Sequence, residues 1–432
     1  MVLIELFDTE PIENIAGFIL TKPRKVLFLG EKKKTDRFEK VFRAIAEKRK
    51  IRTIFESCIV NKNNLQNIVD VLENLVCSLI KDNPNEEIVF DLCGGEDLML
   101  VAAGMVYKNH YAEVELQRFN VYSNKMIDCD ENVVLDSQNN TVMTIEECML
   151  IHGGCVEDCE YQITGTSKWV LTPELIKDIN KLWSVCAQSY RQWNVNVGLT
   201  AKAVSKMPEL SALDVSVNLK GETKDVKKDY QRFLEQLSKT GLIYNFVRKE
   251  AVFTFCFKNI DIKRCLIKEG VLLELFITST ALNVKEDGLN VYNDVMMGVQ
   301  IDWDGVRNEG FENEVENEID VIAMRGLRPV FISCKNGKFD DEELFKFSTV
   351  SEQFGGKYVK KALVTNYLSS KDNPAIKNNN LQREDETQEH YRNRLKKQLL
   401  WSRAQEMGIK IICSDSIKNA EVAAETFKNL CK

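Results

Sequence analysis

Two short segments of this 432-residue chain hold the residue types that phosphodiester hydrolysis requires. One is Asn317-Glu318-Ile319-Asp320-Val321 and the other is Val330-Phe331-Ile332-Ser333-Cys334-Lys335-Asn336-Gly337. Both read as β-strands, and side chains two apart on a strand share a face. Glu318 and Asp320 therefore point one way, as do Ser333 and Lys335. Set side by side, the strands place a carboxylate cluster next to one ammonium. A divalent cation held there polarises a phosphoryl oxygen and lowers the pKa of bound water. Oxygen ligands suit Mn²⁺ or Mg²⁺. Lys335 then orients or deprotonates the attacking water and offsets transition-state charge. Glu274, one turn into the preceding helix, adds a carboxylate through water. The expected metal shell is Asp320, the backbone carbonyl of Cys334, and the side chain of Glu318 or Glu274.

The elements around these strands have to hold them in register. Periodicity predicts a helix over 268–282, then strands over 294–303, 318–324 and 329–335. A helix over 341–354, a strand over 359–365, a polar stretch over 373–385, a helix over 386–407 and a strand over 409–413 follow. The order helix, three strands, helix, strand resembles the core of the PD-(D/E)xK nucleases. Asn-Glu-Ile-Asp-Val, Pro-Val-Phe-Ile-Ser-Cys-Lys-Asn-Gly and Phe354-Gly355-Gly356-Lys357 resemble, more closely, the restriction-type domain fused to CARF sensors in type III CRISPR systems. One departure stands out: Ser333 occupies the acidic position of the D/E-x-K triplet.

Residues 1–122 alternate strands (2–7, 25–30, 52–60, 87–92, 113–121) with helices (11–20, 36–50, 64–80, 97–108). Strand runs apolar on both faces, alternating with helices, make a doubly wound parallel sheet. Ligands of such sheets bind at the carboxyl ends of the strands. Two loops lie there: Asp8-Thr9-Glu10, and Leu92-Cys93-Gly94-Gly95-Glu96-Asp97. Adjacent glycines and a helix N-terminus favour an anion, whereas Glu96 and Asp97 either oppose one or cap the helix. This unit resembles a CARF domain, a Rossmann-like sensor of cyclic oligoadenylates. The resemblance implies that both loops contact the activator, that the protein works as a homodimer, and that the ligand is a ring of matching symmetry such as cyclic tetra-adenylate.

The expected organisation is a CARF sensor over 1–125, a linker with a winged-helix-like region over 126–264, and a PD-(D/E)xK nuclease over 265–432. In the middle region a helix over 227–240 and a hairpin over 242–257 make either a winged helix or a spacer, and 173–193 reads as one long helix. Cys148, His152, Cys155 and Cys159 are either a zinc site or unpaired thiols. Arg392 to Lys397 is either a phosphate grip or a solvated helix face, and Phe345 and Phe347 are either core or a base-stacking platform.

Bulk composition is that of a globular protein, 44% hydrophobic and 28% charged, with no apolar run near membrane-span length. Thirteen cysteines, an odd number, suit a reducing cytoplasm better than a disulfide framework. A net charge of −7 requires any nucleic-acid contact to be local. The three histidines show no ribonuclease-like pairing, which separates the chain from effectors with HEPN domains. Three readings follow: an activated metal-dependent endonuclease cutting single-stranded DNA and RNA or nicking DNA; a catalytically inactive nucleotide-sensing regulator that binds DNA; and a stand-alone nuclease without effector.

Overall fold

The computed structural model describes residues 1–7, 10–130, 132–136, 142–164, 167–207, 209, 211–303, 305, 317–375 and 386–430. Asp8 and Thr9, two of the expected activator contacts, lie outside these residues.

The N-terminal unit runs β1 (Val2–Leu6), α1 (Ile12–Thr21), β2 (Lys25–Gly30), α2 (Lys32–Arg49), β3 (Ile54–Ile59), α3 (Leu65–Asp82), β4 (Ile88–Asp91), α4 (Asp97–Asn109), β5 (Val114–Asn120), β6 (Lys125–Asp128) and β7 (Val133–Asp136). The sheet order is β3-β2-β1-β4-β5-β6-β7, parallel through β5 and antiparallel after it. Helices α1 and α2 bury Ile15, Phe18, Phe38 and Phe42 on one face; α3 and α4 bury Ile68, Leu72, Met99 and Ala102 on the other. Strand order runs outward from β1 through β2 and β3 on one side and from β4 through β5 on the other, so the carboxyl ends of β1 and β4 form the crevice of a doubly wound sheet. The sheet does not stop at 125: the polar stretch after it folds into the β6–β7 hairpin and stays hydrogen-bonded to β5.

Next come α5 (Ile145–His152), β8 (Cys155–Asp158), β9 (Tyr161–Gln162), α6 (Pro173–Cys186), α7 (Tyr190–Val204), β10 (Asp214–Asn218), α8 (Lys224–Lys239), β11 (Ile243–Lys249) and β12 (Val252–Phe257). Thr144 opens α5 with a capping box that Glu147 completes. The single helix expected over 173–193 is two: α6 ends at Cys186, and Ser189 caps α7 by accepting the Gln192 N–H. Helices α6 to α8 with the sheet β10-β12-β11 make a winged-helix-like unit. Its first strand, β10, had no sequence expectation.

The last unit comprises α9 (Ile260–Ile267), α10 (Val271–Asn283), the short pair β13 (Lys285–Glu286) and β14 (Leu289–Asn290), then β15 (Asp294–Asp302), β16 (Asn317–Arg325), β17 (Arg328–Lys335), α11 (Asp341–Gly355), β18 (Lys360–Thr365), α12 (Gln388–Glu406), β19 (Ile409–Cys413) and α13 (Ala420–Lys428). The helix expected over 268–282 starts later because Gly270 (φ +92°) separates α9 from α10. The sheet order is β19-β18-β17-β16-β15-β8, and β9 also pairs with β15. Two strands from the middle region thus complete the sheet of the last unit. One face packs on α10, α6 and α13; the other packs on α5, α11 and α12 and shares its core with α1 and α2 of the first unit. Among the described residues no helix is long and apolar enough to cross a membrane.

Candidate functional site

Strands β16 and β17 are hydrogen-bonded from Arg325/Arg328 up to Val321/Ile332, and there the antiparallel ladder stops. Beyond that rung the Asp320 carboxylate takes the place of backbone pairing. Its Oδ2 accepts from the Cys334 N–H at 2.6 Å and from the Ser333 hydroxyl at 3.2 Å. The splayed strand ends open into a pocket walled by Glu318, Asp320, Ser333 and Lys335 from the sheet and by Glu343, Lys346, Phe347 and Val350 from α11. The α11 positions fall at i, i+3, i+4 and i+7, one face of the helix. Lys335 Nζ lies 3.4 Å from Glu343 Oε2.

The pocket is short of positive charge. Burial raises the Asp320 carboxyl above its usual range, with the Cys334 N–H and Lys335 opposing. Glu274 is pushed to about 8, first by burial and then by the charge of Asp320. Glu274 stands behind the wall, in α10, and does not line the pocket. The Cys334 thiol packs in the hydrophobic core with Ile332 and Val364, which leaves only its backbone to serve the pocket.

Carboxylates held this far above their usual range favour a cation, and the donors are all hard oxygens. Among the described residues, clusters with three metal-capable side-chain atoms within 4.8 Å of one another occur at Glu73–Cys77–His110 and Cys155–Glu157–Asp302, not at Asp320. The pocket therefore suits an ion that takes one or two carboxylates and keeps several waters for substrate phosphates, which is the habit of Mg²⁺. The Cys148/His152/Cys155/Cys159 group does not converge as a zinc site.

In the first unit, the loop after β4 meets the carboxyl end of β1 at the crevice. Gly95 has φ +111°, and a Cβ there would stand 3.0 Å from the Leu6 Cβ, so glycine is required for this approach. Glu96 occupies the N-cap of α4 but makes no capping hydrogen bond. It is instead gripped by Lys62 at 3.2 Å and Lys34 at 3.4 Å, which hold its carboxyl below the usual range against the effect of burial. Lys34 also donates to the Phe7 carbonyl at 3.2 Å. Asp97 is exposed in the first turn of α4.

Glu10 points away from this crevice, toward the nuclease unit. Its Oε1 accepts from His152 Nε2 at 3.1 Å and its Oε2 from the Lys357 N–H at 2.9 Å. Burial disfavours charge on His152, but its bonds to Cys148 and Glu10 outweigh this and lift it to about 10, so it is an imidazolium at neutral pH. Glu13 binds Lys357 Nζ at 2.6 Å and also the Tyr358 hydroxyl. Gly356, φ +61°, has no room for a Cβ between Glu10 and His152. The turn held in this way directly follows α11, whose opposite end carries Glu343.

Residues 261–399 match the family model of the Card1-like endonuclease domain. No curated protein matches the chain significantly. Among solved structures, protein VC1899 from Vibrio cholerae aligns with a TM-score of 0.72 at 19% identity, covering 99% of this chain and 98% of that one. Can2 from Sulfobacillus thermosulfidooxidans, solved in complex with cyclic tetra-adenylate, aligns with a TM-score of 0.62 at 14% identity, covering 100% and 99%. The fold of the whole chain is thus that of these two structures.

The structure brings Glu318, Asp320, Ser333 and Lys335 into one pocket, sets Glu274 behind it, and places Gly94, Gly95 and Glu96 at the crevice. Phe347 walls the pocket, while Phe345 is exposed on the other side of α11 and does not line it. Within the basic run of α12, Arg394 is paired with Glu386 at 2.7 Å and Lys397 with Asp372 at 3.7 Å, leaving Arg392 and Lys396 exposed. Lys34, Lys62, Glu343 and the Glu10–His152–Lys357 contact carried no sequence expectation. Only the acidic start of α11 hinted at one of them.

Proposed function

We propose that this protein is a metal-dependent endonuclease switched on by a cyclic oligoadenylate, cyclic tetra-adenylate fitting best, in type III CRISPR defence. The observation that carries the reading is the joint presence of Asp320 and Lys335 in one pocket of a Card1-like endonuclease domain, where the β16–β17 ladder opens. A bound Mn²⁺ or Mg²⁺ would polarise the scissile phosphate and acidify a water. Asp320 holds the ion, oriented by the Ser333 hydroxyl and the Cys334 N–H, with Glu318 and the Cys334 carbonyl nearby. Lys335 takes the proton of the attacking water or steadies the charge on the departing oxygen. Glu274 acts from the layer behind. Lys346 supplies a phosphate contact at the pocket wall for single-stranded DNA or RNA.

The activator binds at the β1/β4 crevice, where Gly94 and Gly95 admit phosphates to backbone N–H groups, and Lys34 and Lys62 exchange Glu96 for ligand charge. Asp97 contributes from the first turn of α4, and Asp8 and Thr9 are kept as activator contacts on the sequence resemblance alone. Leu100, Val101 and Met105 leave an exposed apolar stripe on α4, next to this loop. A second copy covering it would join two crevices across one symmetry axis. Activator seated against residues 8–10 shifts Glu10, and Glu10 holds the turn at the end of α11. Moving the population from mostly off to mostly on takes roughly 5 kcal/mol of differential affinity.

The test is cleavage of labelled single strands and supercoiled DNA with Mn²⁺, with and without cyclic tetra-adenylate, for wild type and Lys335→Ala. Fragments that need both additions and vanish in the variant are expected. Equal cleavage without nucleotide would select a stand-alone nuclease. Ser333, at the acidic position of the triplet, favours one rival, an inactive regulator. Duplex binding with no fragments would establish it.

A further inference from the structure

We propose that Glu343 supplies the carboxylate that Ser333 cannot, so that the metal site is shared between the sheet and α11. The inference rests on the metal-dependent reading above. At position 333 the side chain points into the pocket, but it is a hydroxyl that donates to Asp320 Oδ2 at 3.2 Å. It orients Asp320 and brings no negative charge. Residues 333 and 335 share a face of β17, so an acid at 333 would have stood beside the Lys335 ammonium. Glu343 reaches that place from across the pocket, with Oε2 3.4 Å from Lys335 Nζ.

The other acids are worse placed. Glu274 is behind the wall. Glu318 also lines the pocket, and continuing the β16–β17 register would set it opposite Lys335, but its side chain is exposed and the carboxylate that pairs with Lys335 is Glu343. Glu343 is also held at its backbone. It is the third residue of α11, and its N–H bonds the Asp340 cap at 3.3 Å. Asp320 and Glu343 give two carboxylates around one lysine, which is the donor count a largely hydrated Mg²⁺ or Mn²⁺ takes.

The experiment follows Mn²⁺ binding to the full-length protein by the loss of the free-ion EPR signal, with circular dichroism as a check on folding. Wild type, Glu343→Gln, Ser333→Glu/Glu343→Gln and Asp320→Asn are compared. Glu343→Gln is expected to weaken Mn²⁺ at least about tenfold, and the double variant, with the acid returned to the strand, to regain the wild-type range. Unchanged affinity in Glu343→Gln overturns the proposal. Loss without rescue in the double variant also overturns it, leaving Glu343 as a partner of Lys335 alone. Wild-type affinity in Asp320→Asn is a separate result: it sinks the metal reading of the pocket itself.

Discussion

The sensor crevice and the nuclease pocket both gather carboxylates and lysines where β-strands end, yet they balance charge in opposite ways. In the crevice, Glu96 is matched by Lys34 and Lys62 and held below its usual range. Glu10 is likewise held low: the His152 and Lys357 contacts outweigh burial. In the pocket, Asp320 is buried beside Lys335 and is raised nonetheless; Glu274, in the layer behind, is raised as well. The first arrangement is internally neutralised and can trade a carboxylate for an incoming anion. The second is short of a cation. Opposite ligands are thus expected at two sites built from the same residue types, because burial and pairing decide which form of a carboxylate is favoured.

Removing the pocket's only described sheet ammonium tests this contrast most severely. Lys335→Ala should lower cleavage by roughly 10²–10⁴-fold while leaving cyclic tetra-adenylate affinity unchanged; a parallel loss of nucleotide binding would mean that the two sites are not separable. Next in size, Lys34→Ala and Lys62→Ala should each weaken activator binding about tenfold or more, with cleavage recovering at saturating nucleotide. Tighter binding in either variant, read by calorimetry, would contradict the view of the crevice as an anion site.

The link between the sites should respond more modestly. Glu10→Gln removes charge from the contact with His152 and the Lys357 N–H. It should leave nucleotide binding near wild type but reduce the activation ratio by roughly fivefold, the low end of common coupling energies. An unchanged ratio would show that the signal bypasses this contact.

The smallest effect concerns stability. Glu274 is raised from 4.5 to about 8 in the folded protein. Its contribution is greatest below pH 4.5, where the unfolded chain is also protonated, and is lost as pH rises toward 8. Glu274→Gln should therefore gain melting temperature relative to wild type at pH 8.5 and show little difference at pH 4.5, without metal. The same offset at both values would mean that Glu274 is not held protonated.

Much of this was legible in the chain itself. Strands with buried runs on both faces, Gly94-Gly95 before a helix, and the spacing of Glu318/Asp320 and Ser333/Lys335 are local patterns, set by the two-residue period of a strand and the turn chemistry of glycine. The helix breaks at Gly270 and at 187–189 were harder to see, because helical spacing continues across both. Periodicity also could not assign β8 and β9 to the nuclease sheet, since which strand an edge accepts depends on packing far along the chain.

What the sequence alone determined is the identity of the reacting groups and the strands that carry them, because neighbours on a strand fix each other's direction. What only the tertiary structure decided is which charges face one another: Lys34 and Lys62 against Glu96, Glu343 across from Lys335, and His152 between Glu10 and Cys148. Those pairs join residues up to 142 positions apart, and electrostatic energy depends on distance and burial in space rather than on separation along the chain.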